Sequence, residues 1–270
     1  MTRTLYQVDA FADRLFAGNP AGVMILDAFL PDDLMQAIAA ENNLAETAYA
    51  VPRGDGAYDL RWFTPGAEVP FCGHATLATA HVLLAEEGRA ASSVRFETRR
   101  VGPLVVERAG GAYVLDSPAG RPRAIEPPEG LAEALGAAPT AVFAGQYLMA
   151  VLADEAAVRR LDPDLFRLAR VRSPLPDASI DAHCVFVTAP GNTHDFVSRF
   201  FGPTVGIPED PVTGSAHCMA APYWAERLGR TRLRAFQASP RGGEVGCEVV
   251  SDRVRLTGGA VTYMRADLRI

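Results

Sequence analysis

The chain has 270 residues, enough for two ordinary domains, and 49% of them are apolar, enough to give each a core. A formal net charge of −6, with both signs mixed along the whole length, provides none of the basic stripes that nucleic-acid binding needs. All 26 basic residues are Arg, so neither a lysine Schiff base nor a Gly-Lys-Ser/Thr phosphate loop can form.

The first residues, "MTRTLYQVDAF", alternate like a strand and contain no apolar signal core. Asn19-Pro20, within "AGNPAG", reads as a turn that could reach a site. "AIAAENNLAETAYAV" (37–51) reads as a helix ending near Asn42-Asn43, followed by a strand in which Glu46 interrupts Leu44, Ala45, Ala48 and Tyr49. Such a carboxylate is either poised to carry a proton near neutrality or sits on a solvated strand face.

"RWFTPGAEVPFCGHATLATAHVLLAEEG" (61–88) then sets a pattern that returns as "RFFGPTVGIPEDPVTGSAHCMAAPYWAERLG" (199–229). Both have an Arg-aromatic-Phe-x-Pro start, a Gly-x-Ala helix entry and a terminal Gly. Gly73 and Gly88 are separated from Gly214 and Gly229 by 141 residues, and Phe96 and Gly102 from Phe236 and Gly242 by 140. The periodicity predicts one fold used twice. "ATLATAHVLLA" and "AHCMAAPYWA" are small or apolar on nearly every face, as befits helices wrapped by sheet. Between the copies, Pro118, Pro122, Pro127 and Pro128 place a linker near residues 117–130. The expected units are 1–120, with a possible return of the last strand at 259–270, and 121–258. The apolar run "AVFAGQYLMAVLA" is too short and too polar to span a bilayer, so a cytoplasmic protein without a membrane partner is expected.

A helix start offers unpaired N–H groups and partial positive charge, so Gly73-His74 and Gly214-Ser215 are natural anion sites, suited to a small carboxylate. The alternative is that the glycines only permit packing. His74 could equally be a neutral cap, and Asp210 an anchor for the loop before Gly214. Cys72, Cys184, Cys218 and Cys247 are widely scattered, which favours reduced thiols. Cys72 and His74, His183 and Cys184, and His217 and Cys218 lack zinc-ligand spacing, so no metal is expected. Cys72 precedes Gly73, but its repeat partner is Thr213, which argues against two-thiol racemisation.

The stretches "QVDAFADRLFAGNPAGVMILD", "MQAIAAENNLAETAYAV", "RWFTPGAEVPFCGHATLATAHVL" and "EDPVTGSAHC" resemble the PhzF, phenazine-biosynthesis family over nearly the whole chain. The resemblance implies an α+β, diaminopimelate epimerase-like fold of two pseudo-symmetric halves, each a curved sheet or barrel around a central helix. It also implies a homodimer and a cofactor-free isomerase whose site lies between the halves. The family's founding member is a dihydro-hydroxyanthranilate isomerase in which a glutamate moves the proton. By the same resemblance Glu46, His74 and Asp210 are catalytic, and Gly73, Gly214 and Ser215 bind a small carboxylate substrate. The usual "NLSET" reads "NLAET" here, so Ala45 lacks a hydroxyl that could orient substrate. A non-catalytic binding protein that keeps the fold is the alternative.

Overall fold

Strand-forming alternation at the N-terminus and β-branched or aromatic runs further on make sheet the commonest regular structure, as seen in a computed structural model that describes residues 2–175 and 183–270. The chain folds as two compact units, one comprising residues up to Asp116 together with Thr257–Ile270, the other Ser117–Leu256.

The first unit runs β1 (Thr2–Ala10), β2 (Asn19–Ile25), α1 (Asp32–Asn42), β3 (Glu46–Pro52), β4 (Tyr58–Phe63), β5 (Glu68–Val69), α2 (Gly73–His81), β6 (Ser93–Thr98), β7 (Leu104–Ala109) and β8 (Ala112–Pro118). β1 pairs antiparallel with β2, β2 parallel with β3, and β3 antiparallel with β4. β4 then pairs antiparallel with β5 and parallel with β6, and β6 antiparallel with β7. Parallel neighbours require a crossover, and α1 and α2 supply the two that occur here. All nine residues of α2 are buried, and the helix packs against β1, β2, β3 and β7. That explains its lack of a polar face. A short π-helix, Val82–Glu86, continues it. The last strand, β18 (Ala260–Arg269), returns to pair antiparallel with β1.

In the second unit the elements are β9 (Arg123–Ile125), α3 (Leu131–Leu135), β10 (Ala141–Ala144), β11 (Leu148–Val151), α4 (Glu155–Arg160), α5 (Leu165–Leu168), β12 (Val185–Pro190), β13 (Phe196–Gly202), β14 (Ile207–Asp210), α6 (Gly214–Leu228), β15 (Arg232–Gln237), β16 (Gly243–Val250) and β17 (Arg253–Gly258). The pairing scheme repeats that of the first unit. β10–β11 is antiparallel, β11–β12 parallel, β12–β13 antiparallel, β13–β14 antiparallel, β13–β15 parallel and β15–β16 antiparallel. Short β9 pairs with β10 as β18 pairs with β1, so the Pro-rich stretch expected as linker also contributes a strand. The repeat therefore extends upstream of the part visible in sequence.

α6 is the counterpart of α2, with one difference. It is buried from Ala216 to Ala221 and again at Trp224, but Glu226 to Leu228 are exposed before Gly229 ends the helix at φ +66°, a left-handed value that glycine adopts without strain. Only its first half is a central helix. His217 on α6 packs against Phe186 and Phe196, and the Trp224 indole stacks on Phe196 while donating to Thr188 Oγ1 at 3.0 Å.

The repeated arginines serve one purpose. Arg61 on β4 donates from Nε and Nη2 to both carboxylate oxygens of Glu68 on β5, at 2.8 and 2.7 Å. Arg199 on β13 does the same to Glu209 on β14, at 2.7 and 2.9 Å. Each bidentate pair pins a short strand to the strand before it, immediately ahead of a central helix.

Candidate active site

In the first unit, three chain segments place polar groups around the start of α2. Asn43, in the left-handed region at φ 49°, caps α1 by donating its N–H to Ala39 O, and the chain turns through Leu44-Ala45 into β3, whose first residue is Glu46. The parallel register sets Glu46 beside Ala21 of β2, two residues beyond Asn19. Cys72, extended at φ −145°, is the N-cap of α2, and Gly73 and His74 open the helix.

His74 is the hub. Its Nε2 lies 3.2 Å from Glu46 Oε2, and its Nδ1 is 3.1 Å from Asn19 Nδ2. Cys72 Sγ is 3.4 Å from Nδ1 and 3.9 Å from Nε2. The Glu46 contact falls short of an aligned hydrogen bond and leaves Oε2, which is buried, without a hydrogen-bond partner. Asn19, Cys72 and His74 are buried, while 12% of the Glu46 side chain remains exposed. Burial by itself disfavours a charged His74, but the Cys72 sulfur and the Glu46 carboxylate beside it outweigh that cost and raise its pKa well above the usual imidazole value. Burial, reinforced by Glu46, pushes the Cys72 thiol up to about 11. At neutral pH Cys72 is therefore a thiol, and Glu46 is the partner that favours the imidazolium.

The second unit assembles a different set around the start of α6. Asp210 ends β14 and accepts a 2.5 Å hydrogen bond from Thr213 Oγ1, which closes the turn before Gly214. Gln237 of β15 clamps that turn by donating to Asp210 O at 2.6 Å and accepting from Thr213 N–H at 2.8 Å. Ser215 Oγ is 2.8 Å from the Tyr147 hydroxyl, which accepts from Gln146 Nε2 at 3.0 Å. Thr213 occupies the N-cap of α6 as Cys72 does that of α2, and neither helix has a side chain capping its first turn. Both sets of N-terminal amides thus lack the usual internal acceptor.

Of the residues singled out in sequence, the first unit brings together Glu46, Gly73 and His74, and the second brings together Asp210, Gly214 and Ser215. Asn19, read as a turn residue, lies on the His74 ring. Tyr147 and Gln237 were not anticipated, because nothing in "AGQYLM" or "AFQAS" marks them before β11 and β15 are placed.

The architecture and these motifs agree with comparisons to known proteins. The family model described as PhzC-PhzF, phenazine biosynthesis-like protein, matches residues 8–266. A curated Pseudomonas aeruginosa protein named as an uncharacterized isomerase is 50% identical over 270 residues, covering 100% of both chains. The crystal structure of a PhzF-family phenazine biosynthesis protein from Enterococcus faecalis superposes with a TM-score of 0.92 at 43% identity, again over 100% of both chains. A hydroxyproline epimerase from Agrobacterium vitis shares the fold at a TM-score of 0.61 and 12% identity, covering 99% of this chain and 92% of that one. No helix among the described residues is long and apolar enough to cross a membrane.

Proposed function

Because the chain belongs to the PhzC-PhzF, phenazine biosynthesis-like family, whose curated members include proteins named as isomerases, we propose that it is a cofactor-independent isomerase or epimerase that moves a proton on a small carboxylate substrate. The observation that carries this reading is the 3.2 Å approach of His74 Nε2 to the hydrogen-bond-free oxygen of Glu46 at the uncapped start of α2.

In this reading Glu46 takes a proton from a substrate carbon and returns it to another carbon or another face. The carboxylate is the acceptor in the first step and, once protonated, the donor in the second. An imidazolium at His74 holds positive charge 3.2 Å from Glu46 Oε2 and offsets the enolate-like charge that develops as the proton leaves. The α2 amides, uncapped by any side chain, add donors for the same charge. Asn19, with its amide turned so that Oδ1 accepts from the Nδ1–H of the imidazolium, fixes the ring through its other nitrogen. Asp210, Gly214 and Ser215 are proposed as groups of the second unit that handle substrate. Asp210 shapes the α6 start through Thr213, and Ser215 is oriented by Tyr147. A cytoplasmic homodimer is part of the same proposal.

Glu46→Gln removes one charge and one exchangeable proton with little change of shape. Since a positioned acid/base contributes about 10² to 10⁴ in rate, deuterium uptake from heavy water into a turned-over carbon acid should fall by that factor with binding retained. Dihydro-hydroxyanthranilate and small amino and hydroxy acids form the starting panel. Exchange by Glu46→Gln at the wild-type rate would remove Glu46 from the mechanism. Binding without exchange in both proteins would favour a non-catalytic ligand-binding role.

A further inference from the structure

Among the described residues, Glu46, Cys72 and His74 form a group of three in which one donor atom from each lies within 4.8 Å of the others. The proposed proton chemistry requires Glu46 and His74 but has no use for a thiol. We propose that these three side chains bind a thiophilic divalent cation of the zinc class, and that its occupancy reversibly blocks proton transfer at Glu46. The second clause rests on the reading of Glu46 given above; the first does not.

Zinc bonds of about 2.3 Å to sulfur, about 2.0 Å to imidazole nitrogen and about 2.1 Å to carboxylate oxygen, at tetrahedral angles, set a sulfur–nitrogen edge of roughly 3.5 Å and a nitrogen–oxygen edge of roughly 3.4 Å. The observed Cys72 Sγ to His74 Nε2 distance is 3.9 Å, and His74 Nε2 to Glu46 Oε2 is 3.2 Å. The imidazole–carboxylate edge therefore fits to within a few tenths of an ångström, whereas Cys72 Sγ, 3.4 Å from Nδ1 and so beside the ring, has to swing about its Cα–Cβ bond to meet a cation held on Nε2.

The ring has a suitable companion. With Nε2 on the cation, Nδ1 must carry a hydrogen and donate it, the usual arrangement for a ligating histidine. Asn19 already lies 3.1 Å from Nδ1, and a half-turn of its amide would present Oδ1 as the acceptor. Glu46 Oε2 brings a buried oxygen that no hydrogen bond occupies. A thiolate and an imidazole select zinc-class ions over magnesium or calcium, and three protein donors leave one tetrahedral position for water. Sequence spacing hides the group, because Glu46 lies 26 residues before Cys72 and joins it only through the β2–β3 register and the α2 crossover.

Cobalt(II) provides a spectroscopic probe that does not depend on activity. Titration of the metal-free wild type should produce one equivalent of a near-ultraviolet sulfur-to-cobalt charge-transfer band, displaced by zinc. Cys72→Ser should lose the band and Cys247→Ser should keep it. Cys72→Ala serves if the serine variant fails to fold. Glu46→Gln should weaken zinc binding at least tenfold by calorimetry. No band in the wild type, or a band unchanged in a folded Cys72 variant, would overturn the site. For the blocking clause, one equivalent of zinc should stop deuterium exchange in wild type, a chelator should restore it, and the Cys72 variants should show the same rate with and without zinc. A cobalt band that depends on Cys72, accompanied by undiminished exchange, would sustain the site and overturn the clause on Glu46.

Discussion

Replacing Glu209 with Leu should destabilise the second unit far more than its position on a four-residue strand suggests. Arg199 is 9% exposed and spends two donors on Glu209, with the remaining close contacts going to Leu161 O at 2.6 Å and Val158 O at 3.4 Å. The Glu209→Leu change leaves a buried guanidinium with two carbonyl partners and the face of Phe201, 4.9 Å away. Breaking one side of a buried ion pair costs about 3 to 5 kcal/mol. The Glu209 side chain retains 19% exposure, so water can replace part of the loss and roughly 2 to 3 kcal/mol is expected here. Arg199→Met combined with Glu209→Leu removes both charges and should lie within about 1 kcal/mol of wild type. The measurement is urea unfolding followed by Trp224 fluorescence in a Trp62→Phe background. Trp62 Nε1 makes no hydrogen bond, so this background loses packing alone, and every variant is compared within it. A single-mutant loss under about 0.5 kcal/mol, or a double mutant equal to the sum of the singles, would refute the argument.

Two other outcomes follow from buried groups. Burial lowers the His217 pKa to about 4 despite its hydrogen bond to Thr213 O, so the folded state holds it neutral while the unfolded chain binds a proton near the usual value of about 6.5. Its contribution, roughly 3 kcal/mol, is present above about pH 6.5 and is lost as pH falls through about 4. Urea unfolding at pH 7 and pH 4 should reveal this slope, and His217→Gln should flatten it. For Cys72, a pKa near 11 leaves a thiolate fraction at pH 8 roughly two hundred times smaller than that of a free cysteine. Iodoacetamide at pH 8 should therefore leave Cys72 unmodified by mass spectrometry over a time in which glutathione is consumed; rapid alkylation would show an activated thiol.

The features legible in the sequence were those written locally. α2 could be recognised because "ATLATAHVLLA" offers no polar face, and the helix is buried all round. The two Arg-aromatic-Phe starts and Gly-x-Ala entries disclosed half of each repeat. The upstream half was hidden because a single helix, α1, bridges β2 and β3, whereas α4 and α5 occupy the corresponding connection in the second unit. The site was readable as residue types and not as contacts. Glu46 and His74 meet only once β3 lies parallel to β2, and Asn19-Pro20 reads as a turn because its local chemistry is that of a turn. The partner of Arg199 was equally invisible, since nothing within "RFFGPTVGIPED" says that Glu209 folds back over the strand.

The return of β18 to β1 has a consequence in time. Residues 117–256 form a contiguous stretch that can complete its own packing as soon as it leaves the ribosome. The first unit cannot, because β1 is flanked by β2 and by a strand synthesised some 250 residues later. Until β18 arrives, one edge of β1 stays unpaired and open to other strands. The part of the protein made first is the part finished last, and the groups gathered around His74 belong to it.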